Sequence, residues 1–140
     1  MFVLDTNVIS ELMSDNPWPA VLAWVDEQRA SDLFVTAITE AEVRTGVALL
    51  PEGRRRRGLA EATERTFGKL YAGRVLPFGS EAARVYATIA VARRAAGRPI
   101  TESDCQIAAI ARSYGAAVVT RNVPDFAGTG VAVINPWIGA

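Results

Sequence analysis

The chain has 140 residues, half of them apolar, enough for one domain over residues 1–140 to bury a core without disulfides or a structural metal. Lys+Arg and Asp+Glu both number 15, so there is no net charge to draw the protein toward nucleic acid or a membrane, and any charged partner must be met locally. With no histidine and Cys105 as the one cysteine, zinc sites, histidine acid–base chemistry, Ser-His-Asp triads and internal disulfides are excluded, leaving carboxylates, hydroxyls, amides or a hard metal for any catalysis.

Phe2 to Leu4 is a short apolar run that stops at Asp5-Thr6-Asn7, the pattern of a buried strand ending in a polar turn. Val8, Ile9, Leu12 and Met13 then repeat at helical spacing until Asn16-Pro17, and a second helix is expected over Pro19 to Gln28. Leu33 to Ala37 returns to strand character. Thr39 is expected to open a helix that ends before Pro51-Glu52-Gly53. Arg54 to Tyr71 is amphipathic and helical, beginning with four consecutive arginines, and Arg74 to Pro77 reads as a brief strand. An alanine-rich helix spans Ser80 to Ala96 and stops at Gly97, with Pro99 just beyond. Thr101 to Tyr114 is the last strong helix, followed by strands over Ala117 to Thr120 and Val131 to Ile134. No apolar run reaches the roughly 18 residues of a membrane span, and the chain starts on a strand pattern where a leader would carry charge, so a cytoplasmic protein is expected.

Strands alternating with helices predict an α/β fold, a three-layer α/β/α arrangement around a mainly parallel sheet of about five short strands. In such sheets ligands gather at the carboxyl ends of the strands, where the strand order reverses. Four acids are predicted to meet on that edge: Asp5 after the first strand, Asp125 after Thr120, and Glu42 and Asp104 near the starts of two helices. Thr39-x-x-Glu42 and Thr101-x-x-Asp104 also resemble capping boxes, and Asp125 also suits an ordinary turn. Asp5 is harder to read that way. A carboxylate ending a strand buried on both faces is costly unless it is paired or metal-bound. Four acids in one pocket would repel and raise one another's pKa values, and a divalent cation removes that conflict. Oxygen donors alone point to Mg²⁺ or Mn²⁺. Thr6, Asn7, Thr120 and Asn122 flank the acids, either to bind substrate and water or to form turns and caps; Arg121 between them is a phosphate contact, and Arg44 a partner for Glu42.

The stretches VLDTNVISEL, ITEAEVRTGVALLPEGRRRR and AAGRPITESDCQIAAIARSYGAAVVTRNVPDFAGTGVAVINPW together resemble the PIN-domain ribonucleases of the VapC/FitB type, the toxin halves of bacterial type II toxin–antitoxin pairs. The resemblance places the family's acidic metal site on Asp5, Glu42, Asp104 and Asp125, with Cys105 standing where an alanine is more usual. It implies a Mg²⁺- or Mn²⁺-dependent endoribonuclease in which metal-activated water attacks a phosphodiester, with Asp5 and Asp104 as direct ligands and Glu42 and Asp125 completing the set. It also implies an RNA substrate, a cognate antitoxin lying in a groove, and a homodimer. The apolar residues around Trp18 and Trp24, with Leu12, Met13, Val21 and Val25, are either core or the wall of that groove, and Arg54 to Arg57 is either a solvated face or an RNA contact. An aspartyl phosphatase or a receiver domain would need a second acid near Asp5 and a well-placed lysine. The one lysine, Lys69, lies in a predicted amphipathic helix. A PIN-fold regulator that binds nucleic acid or antitoxin without cleaving is the remaining alternative.

Overall fold

The computed structural model describes residues 1–138 and bears out the alternation of strand and helix. The order is β1 (Phe2–Leu4), α1 (Thr6–Leu12), α2 (Pro19–Glu27), β2 (Leu33–Thr36), α3 (Ala37–Ala48), α4 (Arg54–Arg65), β3 (Val75–Leu76), α5 (Ser80–Ala95), α6 (Glu102–Ser113), β4 (Ala117–Val119) and β5 (Val133–Ile134). A π-helical turn, Thr66–Leu70, extends α4, and a 3₁₀ turn, Val123–Phe126, follows β4.

All strand pairs are parallel, and the sheet order is β3-β2-β1-β4-β5. The register sets Val3 beside Phe34 and Val118, and Leu4 beside Val119. From β1 the chain moves outward through β2 and β3, then returns to β1's other side with β4. The order therefore reverses between β1 and β4, which opens a crevice at their carboxyl ends.

Successive strand residues point to opposite faces, and here both faces are covered. Val3 and Val118 join Ile89 of α5 and Ile107 and Ile110 of α6 in one core cluster. Leu4 and Val119 join Val8 and Ile9 of α1, Val21 of α2 and Val43 of α3 in the other. The apolar strand runs, with no polar alternation, follow directly from this double covering.

One sequence expectation changes and one open alternative closes. The helix expected from Thr39 starts two residues earlier, at Ala37, because β2 ends at Thr36 and the Thr36 hydroxyl accepts from the Thr39 amide at 3.1 Å. Thr36 is thus the cap, and the Thr39/Glu42 capping box does not form. The apolar residues of α2 and its surroundings are mostly spent on core: Val21 is buried, and Trp24 meets Phe2 edge-to-face at 5.1 Å, while Trp18 is left exposed. Among the described residues no helix is long and apolar enough to cross a membrane.

Ile110 is fully buried in the α6 face of the core. Replacing it with alanine is expected to cost about 2 to 5 kcal/mol of unfolding free energy, read from urea denaturation followed by circular dichroism.

Candidate active site

Asp5 stands where β1 stops, its amide still in the sheet through a 2.9 Å bond to the Val119 carbonyl. Its side chain caps α1: Oδ1 accepts from the Thr6 amide at 2.8 Å. Oδ2 accepts from the Thr120 hydroxyl at 2.8 Å and from Asn7 Nδ2 at 3.2 Å. The residue is only 5% exposed, and none of these donors is a cation.

Thr120 and Asn7 hold that carboxylate from the β4 side. The fully buried Thr120 hydroxyl also accepts from Asn7 Nδ2 at 3.1 Å and from the Asn122 amide at 3.0 Å. Asn7 Oδ1 accepts from the Arg121 amide at 3.2 Å. These bonds tie the start of α1 to the segment after β4, so Asn7 and Thr120 act on Asp5 and the local backbone.

Glu42 lies in the second turn of α3, exposed, with Oε1 accepting from the Thr6 hydroxyl at 2.8 Å. The Thr6 hydroxyl also meets that of Thr39 at 3.0 Å. Because the one Thr6 proton goes to Glu42, the fully buried Thr39 must donate to Thr6. Thr39 is a site residue that sequence reasoning took for a helix cap. Arg44, expected to pair with Glu42, instead reaches Glu40 at 2.8 Å and Glu64 at 2.5 Å, and among the described residues Glu42 has no ion pair.

Asp104 is half-buried in the first turn of α6, which Thr101 caps by accepting from the Asp104 amide at 3.3 Å. Asp125 is exposed on the 3₁₀ turn. Asp5, Glu42 and Asp104 line one open cavity of about 520 Å³ with Arg121, Asn122 and Trp137; Asp125 lies outside its lining. The Arg121 guanidinium sits over the Trp137 ring, 5.3 Å from its centroid.

The acids perturb one another. Burial pushes the Asp5 carboxyl up to about 6; the bonds from Thr120 and Thr6 oppose the rise, and the charges of Asp104 and Glu42 add to it. Asp104 is raised as well, by burial first, with the Thr101 hydroxyl and Arg93 opposing and Asp125 and Glu42 adding. Asp104 therefore senses both outer members of the set.

The matching family model is the PIN domain, over residues 2–127. The chain belongs to the PIN-domain family. Over 137 residues this PIN domain is 44% identical to a VapC ribonuclease, Y4jK, of Sinorhizobium fredii, covering 98% of each chain. It is 42% identical to the toxin FitB of Neisseria gonorrhoeae, covering 98% of this chain and 99% of that one. A solved structure of FitAB bound to a DNA fragment superposes with a TM-score of 0.92 at 42% identity, covering 98% of this chain and 96% of that one.

The donor set of this PIN domain suits a hard divalent cation: all its candidate ligands are oxygens, and one is a buried carboxylate with no cationic partner. No three acids among the described residues lie close enough to ligate one ion together. Hard divalent ions such as Mg²⁺ take one or two carboxylates directly and keep water in their other positions, so a site for one does not require three acids in contact.

A second cavity of about 1040 Å³ runs between α1, α3 and α4 and shares Thr6, Ser10, Ser14 and Glu42 with the first. Met13, Val43, Val47 and Leu59 give it apolar walls, and Arg54, Arg55 and Arg65 stand along it. The arginine run is therefore divided, with its first two members turned to this groove.

The Asp5 carboxyl goes from 3.8 to about 6 on folding, so the folded chain favours the protonated acid. That contribution is fully present below about pH 4 and is lost as pH rises through about 6, a span worth roughly 3 kcal/mol. Without divalent cations Asp5→Asn is expected to raise unfolding free energy at about pH 7.5 by up to that amount, less what its altered hydrogen bonds lose. The gain should vanish near pH 4. Urea denaturation in a chelator at the two pH values checks this.

Proposed function

We propose that this PIN domain is a Mg²⁺- or Mn²⁺-dependent endoribonuclease and the toxin of a toxin–antitoxin pair. The observation that carries the reading is Asp5, a buried carboxylate with its pKa raised to about 6 at the strand-order reversal and with Asp104 and Glu42 beside it. The relatives named as a ribonuclease and a toxin support it.

Asp5 and Asp104 would hold the cation, and Glu42 and Asp125 would complete the acidic set. When bound, the cation lowers the pKa of water and screens negative charge building on the phosphate. The remaining work falls to the chain's own groups. Thr39 and Thr6 fix Glu42 through Oε1, leaving Oε2 to take a proton from the attacking water. Thr120 and Asn7 keep Asp5 in one rotamer. Arg121, on the Trp137 ring at the cavity's rim, offers its guanidinium to a substrate phosphate, and Asn122 lies beside it.

The second groove is the proposed seat of the antitoxin. It offers apolar walls for the apolar face of a peptide and arginines for that peptide's acids. Its continuity with the acid cavity at Glu42 lets a bound segment reach the acids.

Cleavage of a panel of RNAs and matched DNAs in Mg²⁺ or Mn²⁺ tests the activity. Asp5→Asn and Asp104→Asn should each lower the rate at least about a hundredfold. Full activity in both, or none in the parent, would sink the nuclease reading.

The partner reading has its own test. Gly46 is exposed on the groove, with nothing within 4 Å of where a Cβ would lie. Gly46→Arg should keep the circular dichroism spectrum and weaken binding of the cognate antitoxin at least about tenfold by calorimetry. Unchanged affinity would place the antitoxin elsewhere.

A further inference from the structure

Arg93 is a buried cation with no acid for a partner. It lies in the last turn of α5, on the core-facing stripe with Ala82 and Ile89, and is 7% exposed. A guanidinium in such a place is costly unless oxygens meet its donors. Among the described residues no carboxylate is within ion-pair distance, the ion pairs being Arg29 with Asp32 and Arg44 with Glu40 and Glu64.

Main-chain carbonyls take the place of the acid. Nε donates to the Arg98 carbonyl at 2.6 Å, and Nη1 donates to those of Asp125 at 3.0 Å and Ala127 at 2.8 Å. The first of these depends on how α5 ends. Gly97, at φ 72°, turns the chain back so that the Arg98 amide reaches the Arg93 carbonyl at 2.9 Å and the Gly97 amide that of Arg94 at 3.0 Å. Arg98 then adds a bond of its own, from Nη2 to the Pro124 carbonyl at 3.4 Å.

The turn so held is the one that presents Asp125. Its own bonds are short-range: the Asp125 amide to the Asn122 carbonyl at 3.0 Å, the Ala127 amide to that of Pro124 at 3.3 Å, and the Thr129 hydroxyl to that of Phe126 at 2.6 Å. Beyond these, the buried Phe126 ring anchors it to the core. Its three main-chain bonds to arginines are therefore what connects its backbone to α5 and the segment before α6. The positive charge is also near enough to Asp104 to oppose the rise of that carboxyl, so the clamp sits next to the acids.

We propose that Arg93 is a positioning residue: by gripping the carbonyls of Asp125 and Ala127 it sets the Asp125 carboxylate toward the cation that Asp5 and Asp104 would hold. This rests on the cation-dependent reading given above. A planar guanidinium satisfies three carbonyls in fixed directions, whereas a lysine is a point charge without that fork. Small displacements of a catalytic group have large effects on rate, which is why the clamp matters to chemistry as well as to folding.

The test is a double-mutant cycle on the full chain with R93K, D125N and the pair. Mn²⁺ affinity is read by calorimetry, kcat and KM by RNA cleavage, and amide protection at 125–127 by hydrogen exchange. R93K should expose those amides, weaken Mn²⁺ binding, and lower kcat about tenfold to a hundredfold with KM changed less than about threefold. On the D125N background R93K should add less than about twofold to either loss. Equal losses in both backgrounds would make Arg93 a structural strap only and overturn the proposal, as would parent-like R93K. If R93K is unfolded at the assay temperature, R93Q, which keeps an amide donor and removes the buried charge, carries the same cycle. A parent that neither binds Mn²⁺ nor cleaves RNA overturns the ribonuclease reading and this proposal together; an active parent with additive losses overturns this proposal alone.

Discussion

A carboxylate buried between two parallel strand ends with only neutral donors around it is the constraint on which the site depends. Asp5 is held from three sides: its amide belongs to the sheet, its Oδ1 caps α1, and Thr120 pins its Oδ2 from β4. Its ionisation is shifted up to about 6, since burial outweighs the hydrogen bonds that favour the charged form. The fold thereby maintains a local electrostatic deficit, and an external cation would relieve it. A surface carboxylate in the same family of contacts would carry no such demand, because water would screen it.

The other acids are arranged around that deficit by the chain's topology. The reversal between β1 and β4 brings Asp5 to Thr120 and Asn122 across more than a hundred residues of sequence. The helices that follow β2 and precede β4 deliver Glu42 and Asp104 to the same edge. Each arrives with hydroxyl support, Glu42 through Thr6 and Thr39 and Asp104 through Thr101. Asp125 differs. It is exposed on a short turn, and the proposed clamp by Arg93 supplies the rigidity that a helix gives the others. The groove that opens from Glu42 toward α4 then allows one partner to be seated in the groove and to reach the acids.

Much of this was legible in the residues. Two-faced burial of β1 and β4 follows from unbroken apolar runs beside Asp5 and Thr120, and strand–helix alternation forecasts the parallel sheet. The edge on which the acids meet follows from the same alternation. What escaped depends on tertiary choices between equal local signals. Thr36 and Thr39 are both good caps, and only the point at which β2 leaves its neighbours decides that Thr36 caps while Thr39 turns inward. Arg44 has acids on two sides, and the approach of α4 delivers Glu64. Arg93 drew no reading of its own in the alanine-rich helix, although its helical stripe with Ala82 and Ile89 carried the signal that it faces inward. The residues left open between core and groove divide: Val21, Trp24 and Val25 of α2 pack in the core, while Met13 lines the cavity between α1, α3 and α4.

The central claim is that Asp5 is held out of its ordinary ionisation range until a divalent cation occupies the acidic edge. Titrating the Asp5 carboxyl carbon by nuclear magnetic resonance, with and without Mg²⁺, tests this directly. The account predicts a midpoint of about 6 in the metal-free chain. Saturating Mg²⁺ should move that midpoint well down, to the ordinary carboxylate range or below. A midpoint near 3.8 in the free chain, or one that Mg²⁺ leaves unchanged, would contradict it.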